Sequence, residues 1–323
     1  MRCLITGGCG FIGSHLAEYL AKRGDEVRII DDLSTGNFDN ILNLPSTTFD
    51  KTYIQHIDYP AAILHAVYKV DIIFHLAATV GVKKINDNRI ETLENNINST
   101  KAVLEAANGI PVFIASTSEV YGKSTKVPFK EDSDLVLGPT TIGRWGYAAS
   151  KITDEFLALA YHKEKNQPVT IGRLFNTIGP RQTEQYGMVV PTFFKQALSS
   201  EPITVHGDGR QVRCFSDVAD TVESIVRLMD CKEANGQVVN IGNDHGIRIN
   251  MLAMLIKDIT QSKSEIKHIP HESVYGSDFE DIYYRLPCVD KLEKLTGFRS
   301  QTTLWNMLSK IHESMKKETC QKS

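Results

Sequence analysis

The sequence predicts an α/β fold, a doubly wound parallel sheet followed by a smaller C-terminal α/β lobe. Three observations lead there: short apolar runs alternating with helical patterns through the first half, a glycine-rich turn joining the first run to the first helix, and a soluble composition spread over 323 residues. Alternating strand and helix implies parallel strands, because each crossover lays a helix on one face of the sheet.

The elements follow in order. Cys3 to Thr6 reads as a buried strand, and Phe11 to Arg23 as a helix with Ile12, Leu16 and Leu20 on one face. Glu26 to Ile30, Ile72 to Leu76 and Val112 to Ala115 read as further strands; Leu93, Ile97 and Leu104 mark a helix between the last two. A long helix from about Tyr147 to Lys165 leads into a strand from Val169 to Leu174. Beyond Gly179 the pattern loosens. Pro180, Pro191 and Pro202 punctuate it, and Gly207-Asp208-Gly209 reads as a turn. Val218, Val222, Ile225 and Val226 suggest a helix, and Val238 to Ile241 a strand. The division is set at 178: residues 1–178 form a nucleotide-binding domain that carries the catalytic residues, and 179–323 a substrate lobe, with some chain exchange.

Hydrophobic residues make up 41% and charged residues 23%, with a formal net charge of -3. That balance gives no reason to expect nucleic acid or a membrane as partner. No apolar run approaches the roughly 18 residues of a membrane span, and the chain opens on a strand-like run, so a cytoplasmic protein is expected. The six cysteines form no C-x-x-C pair and stand at no metal-ligand spacing, so reduced thiols and no metal are expected. The lysine-rich tail from Met315 to Ser323 reads as a solvated end.

Thr6-Gly7-Gly8-Cys9-Gly10-Phe11-Ile12-Gly13 sets Gly7, Gly10 and Gly13 three apart after a strand and at the start of a helix. Missing Cβ atoms let the backbone turn tightly and approach a pyrophosphate, which the helix N-terminus favours electrostatically. This is the Rossmann-type arrangement, and it expects an acidic residue at the end of the second strand. Asp31 stands there. A carboxylate at that point accepts ribose hydroxyls and repels a 2′-phosphate, which points to NAD rather than NADP. Asp32 and Asp58 are further candidates near the adenosine end; each also suits a turn.

Tyr147 and Lys151 stand at i and i+4, on one helix face. An ammonium beside a phenol lowers the phenol's pKa, so the pair is expected to take a proton from a sugar hydroxyl as hydride leaves. Thr117, near the end of a strand, is placed to hydrogen-bond that same hydroxyl. An NAD-binding regulator has no use for Thr117, Tyr147 and Lys151 together.

These residues carry a resemblance. The chain resembles the extended short-chain dehydrogenase/reductase family of NAD-dependent nucleotide-sugar epimerases, dehydratases and decarboxylases. The likeness runs through the glycine motif, Phe74-His75-Leu76-Ala77-Ala78, Ser116-Thr117-Ser118-Glu119-Val120-Tyr121-Gly122, Tyr147/Lys151, Arg173-Leu174-Phe175-Asn176, Gly179-Pro180-Arg181 and Arg213-Cys214-Phe215. It implies that Phe11, Ile12 and Ala77 join the cofactor site. It also implies that Asn176, Val190 and Arg213 hold a nucleotide-sugar, UDP-linked, in a homodimer. The shared first step is oxidation at C4, after which the 4-keto sugar epimerises, loses water, or, if C6 is a carboxylate, loses carbon dioxide. The Thr117-Ser118-Glu119 trio and Arg285 resemble the decarboxylases of UDP-glucuronate, whereas Thr79 to Lys84 is closer to an epimerase loop. Decarboxylation to UDP-xylose or a UDP-4-keto-pentose is the first expectation, 4-epimerisation the second and 4,6-dehydration the third.

Overall fold

The computed structural model describes residues 1–49, 52–57, 59–79, 88–183, 188–275 and 282–322. The central sheet contains β1 (Arg2–Thr6), β2 (Glu26–Asp31), β3 (Thr52–Ile54), β4 (Ile72–His75), β5 (Val112–Thr117) and β6 (Val169–Leu174). A seventh strand, Gln237–Ile241, pairs with the outer edge of β6. Every pairing in this sheet is parallel. The chain winds from β1 outward to β2 and β3, then crosses to β4 and winds the other way. The switch between β1 and β4 opens a crevice at the strands' C-terminal ends, where ligands bind in such sheets.

The apolar runs explain the burial. Successive side chains of a strand point to opposite faces. Cys3 and Ile5 join Leu16, Leu20, Ile29 and Phe74 in one core layer. Leu4 between them joins Ile30, Val103, Ile114 and Ile171 in the other. The helices that cover the sheet stop where the chain needs a left-handed residue: Arg89–Ala107 ends at Asn108 and Arg144–Lys165 at Asn166, both with positive φ.

The observed elements extend three expected ones, each toward the crevice. The second strand reaches Asp31, the fifth reaches Thr117, and the long helix starts at Arg144 rather than Tyr147. The division at 178 needs correction. The Val218–Asp230 helix and the Gln237–Ile241 strand return to the first domain: Val222, Ile225, Val226 and Leu228 sit in the same core as Leu16 and Leu20. Without them the outer edge of β6 and one side of the Phe11–Lys22 helix would lack cover.

The second lobe packs the helices Val189–Leu198, Ile249–Thr260 and Leu304–Lys322 around Phe193, Phe194, Leu252, Ile256 and Leu308. Met315, expected in a solvated tail, packs against this core because the last helix continues through it. A small sheet on this lobe joins Val212–Cys214 to Tyr284–Arg285, with Arg285 in register with Arg213. Paired residues project to the same side of a sheet, so the topology brings two distant arginines together. Among the described residues no helix is long and apolar enough to cross a membrane.

Candidate active site

The crevice opens into a cavity of about 910 Å³ that spans both lobes. Its floor is the glycine turn. Gly7 has φ +71°, and a Cβ there would lie 2.9 Å from the Ala77 amide nitrogen. A Cβ on Gly13 would collide with the Gly7 carbonyl oxygen. The protein's own chain therefore demands both glycines, one for close approach of the β1 and β4 loops and one for seating the helix. Gly10 caps the Phe11–Lys22 helix without a side chain over its free amides. Gly7, Gly10, Phe11, Ile12, Gly13 and Ala77 all face the cavity. This cradle of uncovered amides at a helix start fits a dinucleotide pyrophosphate.

Asp31 also faces the cavity and is 7% exposed. Its Oδ2 accepts the Cys9 amide at 2.9 Å and its Oδ1 the Leu33 amide at 2.8 Å. The residue thus shapes the turn, as its type suggests, and keeps lone pairs for a ribose. Burial pushes its carboxyl above the usual range, and the two amides partly offset this. Asp32 lines the cavity too, and its Oδ1 accepts the Ser34 amide. Asp58 lies outside the described residues, as do residues 80–84 of the loop likened to an epimerase.

Thr117, Ser118, Glu119 and Tyr147 form one wall. Thr117 caps the short 3₁₀ turn Ser118–Tyr121 by accepting the Glu119 amide, and its hydroxyl also hydrogen-bonds the Tyr147 phenol. The wall is anchored from behind. Glu155 receives both Arg173 Nε at 2.9 Å and Nη2 at 2.7 Å, and Ser116 donates to the same carboxylate. This buried fork ties β5, β6 and the Arg144–Lys165 helix to one another. At the switch point, Thr6 Oγ1 accepts the Leu76 and Ala77 amides and meets His75 Nδ1 at 2.8 Å. Burial, helped by the Lys151 charge, drives His75 down to about 3, so it stays neutral and structural.

Lys151, expected to partner Tyr147, has a buried partner of its own. Lys151 is absent from the cavity wall and is 2% exposed; its Nζ donates to Asp154 Oδ2 at 2.7 Å. Its charge is therefore compensated by a fully buried carboxylate one turn away. Tyr147 is pushed up rather than down, by burial first and by the Glu119 charge second. Thr117 and Arg285 act in the opposite direction.

Glu119 receives Arg285 Nη2 on Oε1 at 2.7 Å and Arg144 Nη2 on Oε2 at 3.1 Å. Burial alone would raise its carboxyl, yet Arg144 and Arg285, with a further pull from Arg213, hold it down to about 2. The group is an anion in the resting site. Asn176, Val190, Arg213 and Arg285 line the facing wall. Asn176 Nδ2 donates to the Cys214 carbonyl at 2.9 Å, locking it beside the arginine strand. Arg213 Nη1 donates to the carbonyls of Val212 and Tyr283.

Arg144 was not among the expected site residues. It stands three positions before Tyr147, hence on the same helix face, and that spacing was the available signal. His206 and Gln211, also on the second lobe's wall, carried no motif at all.

The chain is similar to several known proteins. The family model described as NAD dependent epimerase/dehydratase family matches residues 3–242. The chain is 42% identical over 307 residues to the UDP-N-acetyl-alpha-D-glucosaminuronate decarboxylase of Bacillus cytotoxicus, covering 92% of each chain. It is 34% identical over 324 residues to UDP-glucuronic acid decarboxylase 1 of Danio rerio, covering 98% of this chain and 73% of that one. Among solved structures it resembles the UDP-glucose 4-epimerase of Thermotoga maritima with a TM-score of 0.88 and 27% identity, covering 99% and 100% of the two chains.

Proposed function

The chain belongs to the NAD-dependent epimerase/dehydratase family, and within it we propose that this member decarboxylates a UDP-linked hexuronate after transient oxidation at C4. One observation carries the choice among the family's reactions: a cavity carboxylate, Glu119, held between two arginines, with a third nearby. Re-reduction of a 4-keto sugar calls for no such cluster, whereas a substrate carboxylate needs cations to be tolerated in a half-buried cavity. The relatives named decarboxylases support this reading. They differ in the sugar's C2 substituent, so both UDP-glucuronate and its 2-acetamido counterpart are candidate substrates.

When bound, NAD supplies the acceptor for the C4 hydride. The chain's residues do the rest. Thr117 and Tyr147 hold the proton of the C4 hydroxyl, Asn176 and Arg213 orient the sugar and diphosphate, and Arg285 meets the C6 carboxylate. The resulting 4-ketone is β to that carboxylate, so it accepts the electron pair as carbon dioxide leaves. A proton then replaces the lost carbon at C5.

Product NMR with carbon dioxide capture on UDP-glucuronate, UDP-N-acetylglucosaminuronate and UDP-glucose tests the reading. Carbon dioxide and a UDP-pentose from one of the acid sugars are expected. UDP-galacturonate or UDP-galactose without carbon dioxide would establish the second reading, a 4-epimerase, which the structural likeness to a solved 4-epimerase favours.

Asp31 yields a cofactor prediction. A 2′-phosphate beside its carboxylate meets like charge, which costs several kcal/mol. NAD is therefore expected to bind on the order of 10²-fold more tightly than NADP. Asp31→Asn should narrow that gap; equal dissociation constants for the two in the wild type would refute the ribose assignment.

A further inference from the structure

Tyr147, Lys151 and Asp154 stand at i, i+4 and i+7, so they share one stripe of the Arg144–Lys165 helix. Side chains on a helix lean toward its N-terminus. Lys151 therefore leans over the turn of Tyr147, and Asp154 over the turn of Lys151. The stripe offers the ammonium two partners, a phenol on one side and a carboxylate on the other. The carboxylate holds it: Lys151 Nζ lies 2.7 Å from Asp154 Oδ2, and the two side chains are 3% and 0% exposed. Tyr147 lines the cavity, whereas Lys151 and Asp154 do not. Parting a buried ion pair strands a charge away from water, so the hold is strong.

The groups packed against the stripe fit this division. Asp154 is met by Thr100 from the Arg89–Ala107 helix, and the Lys151 charge bears on His75 of β4. Burial raises the Asp154 carboxyl; Lys151 and then Thr100 pull it back, and Glu155, itself held by Arg173, adds to the rise. Tyr147 is faced by Thr117 and Glu119 from the end of β5 and its following turn, and by Arg285 from the second lobe. After burial and Glu119, the Asp154 charge pushes the phenol up further.

We propose that Asp154 is a positioning residue: by holding the Lys151 ammonium it keeps that cation from acting on Tyr147, so the phenol works as base without the lysine of its own helix. The consequence for catalysis rests on the reading of Tyr147 as the base. The hold of Asp154 on Lys151 belongs to the resting protein and stands independently. Released from Asp154, the ammonium would lean over Tyr147 and stabilise its phenolate, and proton transfer would shift toward lower pH.

Two measurements on the NAD holoenzyme test this. NMR of isotope-labelled tyrosine ring carbons identifies the Tyr147 signal as the one that Tyr147→Phe removes, and its titration reads the phenol directly. Asp154→Asn keeps the shape and removes the charge. In it the titration should begin about 1–3 pH units below its wild-type position, the usual effect of one nearby cation. The climb of single-turnover NAD reduction with pH should move down with it. In Lys151→Met/Asp154→Asn both should return to near the wild-type position, because the shift requires the ammonium. That double variant removes the buried pair whole, which a fold tolerates better than loss of one partner, and it carries the test if Asp154→Asn does not fold. A Tyr147 titration and pH profile unmoved in Asp154→Asn, with only the melting temperature lowered, would make Asp154 structural and overturn the proposal. So would a downward shift that persists in the double variant, since Asp154 would then act without Lys151. A double variant shifted upward by about a pH unit or more would also overturn it, since Lys151 would then already act on Tyr147 in the wild type. If Tyr147→Phe turns over normally, the reading of Tyr147 as base falls, and the NMR titration still decides whether Asp154 withholds Lys151.

Discussion

Tyr147→Phe is expected to bind NAD as the wild type does and to lose turnover by about 10²–10⁴-fold, the usual contribution of a positioned acid–base group. The phenol is the group in the cavity wall that hydrogen-bonds Thr117 and can exchange a proton with the C4 hydroxyl. Removing one hydroxyl leaves a ring of the same shape, so the fold should lose little more than about 1 kcal/mol. The pH dependence has a definite sign. Burial and Glu119 push Tyr147 above the usual phenol range, so the neutral form dominates near pH 7. The base form then grows about tenfold per pH unit until that pKa is reached. Single-turnover reduction of NAD in the wild type should climb through the neutral range, and the slope should vanish in the Phe variant. A flat wild-type profile, or a Phe variant with near-normal turnover, would remove Tyr147 from the role of base.

The Tyr147 result bears on what the amino acids disclose alone. A helix with tyrosine and lysine four apart is readable from spacing, and so is its place after a nucleotide-binding turn. The partner of the lysine is not. Asp154 stands three residues beyond Lys151, a spacing as common on solvated helix faces as in buried pairs, and only packing shows that both are buried. The central sheet was legible because its strands are apolar on both faces, as Cys3, Leu4 and Ile5 are. The return of Gln237–Ile241 to that sheet was not legible, since a single strand carries no label for its neighbour. The same holds for Arg213 and Arg285, joined in register across more than 70 residues of chain. The glycines were read as making room for phosphate. Gly7 and Gly13 turn out to be required first by the chain itself, against Ala77 and against the Gly7 carbonyl.

Glu119→Gln and Arg285→Ala are expected to stall carbon dioxide release while reduction of bound NAD stays measurable, and to part company in substrate affinity. The enolate left by carbon dioxide needs a proton, and Glu119 is the candidate donor. A carboxyl held at about 2 does not donate in the resting site. The substrate changes the balance. A C6 carboxylate arriving at Arg285 removes one cation from Glu119 and sets a like charge beside it; both effects raise its pKa. Glu119 becomes able to hold a proton only once an acid sugar is seated. Gln can neither take up nor deliver that proton, yet it leaves Arg144 and Arg285 facing the cavity with their mutual anion gone. The KM for UDP-glucuronate should therefore stay the same or fall in Glu119→Gln, while kcat drops by about 10²-fold or more. Arg285→Ala removes the partner of the C6 carboxylate. Truncating one side of a buried charged pair costs about 2–5 kcal/mol, so KM should rise on the order of 10²-fold. Rapid-quench assays that follow NADH and carbon dioxide in the same turnover separate the oxidation from the later step. Equal losses of both signals in Glu119→Gln, with an unchanged melting temperature, would place Glu119 in the hydride step instead. Loss of both signals together with the melting temperature would make it a structural carboxylate.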